Sequence, residues 1–129
     1  MALGNLCTGI QHLGIPTGNL EETKKFYEGL GFQTVYETCI EEKNQHVAFI
    51  QLNNLMVEAY EEVPALCDGA VNHMALDCTD IQAAYEEAVE EGRTILSDGI
   101  ESLGFWENGV KFFIIEGPNK ERIEFCQRL

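Results

Sequence analysis

Ile10-Gln11-His12-Leu13-Gly14-Ile15 and Val71-Asn72-His73-Met74-Ala75-Leu76 are two apolar, strand-like runs with a histidine in the same place, 61 residues apart. The same offset carries Asn19-Leu20 onto Asp80-Ile81 and Gly31 onto Gly92. Asn and Asp just before an apolar residue read as helix N-caps, because a short side-chain oxygen accepts from a free backbone N–H of the first turn. Glycine after a helical stretch reads as the residue that ends it. Chance explains one such match in an α+β chain, but hardly a histidine, a cap and a glycine in one register.

Between cap and glycine, Leu20, Thr23, Phe26, Tyr27 and Leu30 recur at helical spacing, as do Ile81, Ala84, Tyr85, Ala88 and Val89. After each helix come runs suited to strands: Phe32 to Ile40, Gln45 to Leu52 and Leu55 to Tyr60, then Thr94 to Ser97, Val110 to Ile115 and Arg122 to Gln127. Turn residues fall where this scheme needs them, at Asn53-Asn54, at Gly117-Pro118-Asn119 and between Gly104 and Gly109. The reading is an α+β chain of two tandem βαβββ modules, about 6–62 and about 70–129, with Glu62 to Gly69 as the linker.

Strand side chains alternate, so His12 shares a face with Gly14 and Pro16, and His73 with Ala75, while Leu13, Ile15, Met74 and Leu76 point toward the helices. In the last strand of each module a glutamate breaks an apolar pattern in the same way: Glu58 between Met56 and Tyr60, Glu124 between Arg122 and Cys126. Each has a plainer reading. A lone strand histidine is more often a core or surface residue than a ligand. Glu58 has acidic neighbours in Glu61 and Glu62 and could face water, and Glu124 could pair with Arg122 or Lys120 as a surface ion pair. Equivalent placement in a repeated unit favours the joint reading. Two imidazoles and two carboxylates make a mixed nitrogen and oxygen site for a divalent metal such as Zn, Ni, Co or Mn. Two coordination positions stay open for a small substrate bearing adjacent oxygens, on which the ion acts as Lewis acid. Gly14 and Ala75, small and on the ligand face, leave room for it.

Composition narrows the partners. Twenty-two acidic against eight basic residues give a net charge of −14, which repels a phosphate backbone and argues against nucleic acid. No apolar run is long enough for a membrane span, and the first nine residues do not read as a secretory signal, so a cytoplasmic location is expected. Cys7, Cys39, Cys67, Cys78 and Cys126 are scattered, without a C-x-x-C pair, and are expected to be reduced and mostly buried. His46 has no counterpart in the second half and reads as a surface residue. Phe105-Trp106, between Gly104 and Gly109, reads either as a flap over a small ligand or as packing beneath a turn.

These residues resemble the vicinal oxygen chelate superfamily, which includes glyoxalase I, methylmalonyl-CoA epimerase, extradiol dioxygenases and fosfomycin and bleomycin resistance proteins. The likeness runs from Ile10-Gln11-His12-Leu13-Gly14-Ile15, Asn19-Leu20-Glu21 and Phe26-Tyr27, through Val71-Asn72-His73-Met74-Ala75-Leu76 and Thr79-Asp80-Ile81, to Gly117-Pro118-Asn119 and Ile123-Glu124-Phe125. It implies that the modules curl into an incomplete barrel around a metal, held in glyoxalase I by two His or Gln and two Glu, which here are His12, Glu58, His73 and Glu124. It makes the carboxylates, Glu58 and above all Glu124, the catalytic candidates, with Glu124 as the base.

Within the superfamily, bacterial enzymes that use glutathione usually carry arginine where this chain has Pro16, and epimerases usually carry glutamine where it has Glu58. With only Arg93, Arg122 and Arg128 as arginines, a bulky anionic coenzyme A is a poorer fit. The resemblance therefore implies a metal-dependent lyase or isomerase of glyoxalase type, working as a homodimer on a small α-oxo adduct. An epimerase-like enzyme and a drug- or metabolite-binding module of the bleomycin-resistance type are the alternatives.

Overall fold

The first helix, α1 (Leu20–Gly29), starts where its cap requires: the Asn19 side chain accepts from the Glu22 backbone N–H at 3.1 Å. The second, α2 (Ile81–Glu90), starts in the same way, with Asp80 accepting from Ala83 N–H at 3.0 Å. Each ends one residue short of a glycine in the left-handed region, Gly31 at φ 104° and Gly92 at φ 74°. The computed structural model describes residues 2–129, and they divide into two units with the break after Pro64.

In the first unit, β1 (Leu13–Thr17), β2 (Gln33–Ile40), β3 (Gln45–Leu52) and β4 (Leu55–Glu61) form one sheet in the order β1-β4-β3-β2. Strand β1 runs parallel to β4, which is possible because α1 supplies the crossover; the remaining pairs are antiparallel. Asn53, at φ 50°, makes the two-residue turn between β3 and β4. One face of the sheet packs on α1. Ile15, Ala48, Ile50, Val57 and Ala59 from the strands meet Leu20, Thr23 and Tyr27 from the helix, all buried, and Tyr27 contacts Phe32 edge-on at 5.2 Å. Each large side chain buried in this way contributes about 1.5–3 kcal/mol.

A buried hydroxyl pair ties the end of β1 to the helix: Thr17 Oγ1 lies 2.8 Å from Thr23 Oγ1 and accepts from Asn19 N–H at 3.0 Å. Thr17→Val keeps the shape but removes the hydroxyl that binds both Thr23 Oγ1 and Asn19 N–H. It is expected to cost about 1–3 kcal/mol, from the loss of two hydrogen bonds at about 0.5–1.5 kcal/mol each, seen as a lower urea midpoint at unchanged slope.

The second unit repeats the plan: β5 (Met74–Asp77), β6 (Glu101–Leu103), β7 (Val110–Glu116) and β8 (Arg122–Arg128) in the order β5-β8-β7-β6, with β5 parallel to β8. Its core is more aromatic. Phe113 stacks on Phe125 at 5.0 Å and meets Tyr85 of α2 edge-on at 5.3 Å, beside buried Ile81, Ala88, Ile115 and Ile123. The two-module α+β reading is the observed architecture: among the described residues, two α-helices and two four-stranded sheets.

Three expectations are corrected. Thr94 to Ser97 is not a strand: only Ile95 bridges, to Ile115, and the pairing strand is β6, further on. The ladder breaks because the Ser97 hydroxyl takes the Ile114 N–H at 2.9 Å in place of a carbonyl, and Gly99, at φ 64°, turns the chain. Val89 lies on the helical stripe by spacing but is half exposed. None of the five unpaired cysteines is fully buried, and Cys7 and Cys67 are exposed.

Candidate metal centre

Register decides which side chains can meet. In the first sheet Gly14 lies beside Glu58, and Phe49 lies beside Glu58 from the other side, so Gly14, Glu58 and Phe49 share the face turned away from α1. In the second sheet Ala75, Glu124 and Ile114 do the same. Each histidine stands immediately before its strand, at His12 and His73, where the chain is no longer paired in the ladder. The alternation still carries: His12 Nε2 lies 3.9 Å from Glu58 Oε2, and His73 Nε2 lies 3.6 Å from Glu124 Oε1. The offset of 61 at the histidines grows to 65 from Phe49 to Ile114 and to 66 from Glu58 to Glu124. Residues added before β7 and in its hairpin therefore leave the His–Glu juxtaposition untouched.

The plainer readings of the glutamates are answered by position. Both sit on interior strands, and their side chains are 28% and 16% exposed. Lys120 goes instead to Glu116 at 3.4 Å and Arg122 to Asp68 at 3.7 Å, leaving Glu124 to His73. The Cys126 thiol beside Glu124 is pushed up, by burial first and then by that carboxylate. Over the first pair, Phe49 meets the His12 ring edge-on at 5.8 Å and Tyr36 lies 6.0 Å further along. The Tyr60 ring covers Gly14, reaching 3.4 Å from where a Cβ would stand.

The donor types in each pair, an imidazole nitrogen and a carboxylate oxygen, are ones that suit a divalent metal. Both nitrogen–oxygen separations are too long for a hydrogen bond, and near the roughly 3–3.5 Å that separates two donors on one ion with 2.0–2.2 Å bonds. The other ring nitrogen is occupied in each case: His12 Nδ1 by Gln11 Oε1 at 3.0 Å, and His73 Nδ1 by Asn72 Oδ1 at 2.9 Å. The histidines thus direct Nε2 at the carboxylates. Within neither unit does a third His, Cys, Asp or Glu join the pair among the described residues. Gln11 and Asn72 carry one signal in the sequence, an amide residue directly before each repeated histidine.

His46 is exposed, as expected, but not idle. Its backbone N–H and its ring Nδ1 both bind Glu61 Oε1, at 2.8 and 2.7 Å, and hold that carboxylate below its usual range. Phe105 and Trp106 do not pack beneath the turn. Both are exposed, Trp106 stands at φ 63°, and the Arg128 guanidinium lies over its ring at 4.1 Å.

Duplicated βαβββ units define a fold class, and comparison with known proteins agrees with it. The chain belongs to the Glyoxalase/Bleomycin resistance protein/Dioxygenase superfamily, whose family model matches residues 9–125. It is 32% identical over 127 residues to YwbC of Bacillus subtilis, an uncharacterised protein, with 92% of this chain and 97% of that one covered. A glyoxalase family protein from Enterococcus faecalis has the same fold at a TM-score of 0.78 and 23% identity, covering 94% of this chain and 98% of that one. FosX, the fosfomycin resistance protein of Listeria monocytogenes in complex with Mn(II) and sulfate, superposes at 0.73 with 12% identity and coverage of 95% and 93%. A glyoxalase I mutant from Zea mays superposes at 0.69 with 19% identity, covering 91% of this chain and 43% of that longer one. No helix among the described residues is long and apolar enough to cross a membrane.

Proposed function

We propose that His12, Glu58, His73 and Glu124 together hold one divalent metal ion, Zn, Ni, Co or Mn, and that the protein is a glyoxalase-type lyase or isomerase. Its substrate is a small α-oxo adduct of the hemithioacetal kind, and it works as a homodimer. The observation that carries this reading is the repetition of one His–Glu pair at one register, at 3.9 and 3.6 Å, on two sheets whose sequences have otherwise diverged. Two donors from each module make a four-ligand set, in one chain or shared by neighbouring chains. The Mn(II) in FosX supports a divalent ion on this fold.

When bound, the ion supplies Lewis acidity to adjacent substrate oxygens. The chain's own groups do the rest. Glu124, the more sheltered carboxylate, takes the proton from one carbon and returns it to the next. Glu58 balances the charge from the other module. Phe49 and Tyr60 flank the first pair, Phe49 edge-on to the His12 ring and Tyr60 over Gly14, and limit the directions from which a substrate can reach it.

Turnover of a thiol–methylglyoxal hemithioacetal is the test, followed by ultraviolet absorbance of the thioester. The expected result is activity that disappears with a chelator and returns with Ni or Zn. Absence of turnover in fully metal-loaded protein that still binds the same adduct would replace the enzyme with a binding module.

A further inference from the structure

We infer that Gln11 and Asn72 are positioning residues that set the tautomer of His12 and His73, fixing the proton on Nδ1 so that Nε2 offers a lone pair toward Glu58 and Glu124. The consequence for metal affinity rests on the four-ligand reading above; the tautomer itself does not.

In the second unit the chain of logic is closed by a carboxylate. Asp68 has only acceptors to offer, and the Asn72 amide nitrogen donates to its Oδ2 at 3.0 Å. This fixes the amide orientation, so the oxygen is the end that faces His73 Nδ1 at 2.9 Å. An oxygen there requires a proton on Nδ1. In a neutral imidazole, Nε2 is then unprotonated, and it is this nitrogen that stands 3.6 Å from Glu124. Asp68 is itself steadied by Arg122, 3.7 Å away, whose Nε is buried without a partner. The guanidinium, Asp68, Asn72 and His73 thus form one relay that ends on the ligand nitrogen.

The first unit has the same last link without the tether. Gln11 Oε1 lies 3.0 Å from His12 Nδ1, but no group among the described residues holds the Gln11 amide nitrogen as Asp68 holds that of Asn72. A side chain with one more rotatable bond and no anchor fixes its histidine less firmly. Conservation of the device across the repeat, with Gln in one module and Asn in the other, is what two independent capping residues with the same task look like. Outer-shell partners of metal-binding histidines act in this way and typically account for about 10–100-fold in metal affinity.

The experiment reads the imidazole nitrogens directly, by long-range proton–nitrogen correlation on nitrogen-15-labelled, metal-free protein at a pH where the rings are neutral. The expected spectrum shows protonated Nδ1 and bare Nε2 at His12 and His73. Gln11→Ala is expected to release His12 alone and Asn72→Ala to release His73 alone toward the Nε2–H form. Gln11→Glu, which keeps an acceptor, should retain the wild-type pattern, and Asp68→Asn should loosen His73 while sparing His12. Zinc titration should then show about a 10–100-fold loss of affinity in Asn72→Ala. An Nε2–H tautomer at both histidines of the wild type, or an Nδ1–H form that survives both alanine substitutions, would overturn the inference. Because the spectra need no metal, a protein that binds no ion at all would defeat the four-ligand reading and leave this result standing.

Discussion

Glu124→Gln is expected to lower kcat by about 10²–10⁴-fold at saturating metal, the usual contribution of a positioned general base. Glutamine keeps the length and an oxygen that can ligate, but it cannot accept a proton. The loss should therefore fall on kcat and on exchange of the substrate proton with solvent deuterium, more than on metal content. Glu58→Gln is the comparison: it removes the same charge from the equivalent register position and should cost clearly less. The asymmetry follows from the environments, since Glu124 is the less exposed of the two and has the Cys126 thiol beside it. Wild-type exchange in Glu124→Gln would take the proton away from this residue, and equal losses in both variants would divide it between the carboxylates.

The largest effect on binding is expected from His73→Ala. Each sheet supplies two donors and, among the described residues, no third within its own unit. Two donors hold a borderline divalent ion poorly, so the sets are useful only together. Removing a ligand should exceed the roughly 10–100-fold that outer-shell changes cost. It should also abolish the contribution of His12 and Glu58, whose own positions are untouched. If each pair instead bound an ion by itself, the variant would lose half of the metal and keep the other half at full affinity.

How much of this was readable in the chain depends on which force placed each residue. Asn19, Asp80, Gly31 and Gly92 are local devices, set by orphan amides and by a positive φ, and local devices are legible from residue type. The faces of β4 and β8 are legible for a related reason: period-two alternation puts Val57, Ala59 and Ile123 inward and so forces Glu58 and Glu124 outward. The displaced strand in the second module was not legible. Thr94-Ile95-Leu96-Ser97 has the composition of a strand, and only the competition of the Ser97 hydroxyl for Ile114 N–H, with the turn at Gly99, moves the pairing to Glu101–Leu103. The histidines were legible as repeated residues, though they stand one residue outside the ladder. The roles of Gln11 and Asn72 are not legible in the sequence, because an exposed amide has no pattern of its own, and only the hydrogen bond to Nδ1 gives it a role.

The most direct test of the four-ligand centre is calorimetric titration of metal-free protein with zinc, alongside His73→Ala. One ion per chain in the wild type and no tight binding in the variant is the expected result. Two ions per chain, or a variant that still binds tightly, would contradict it.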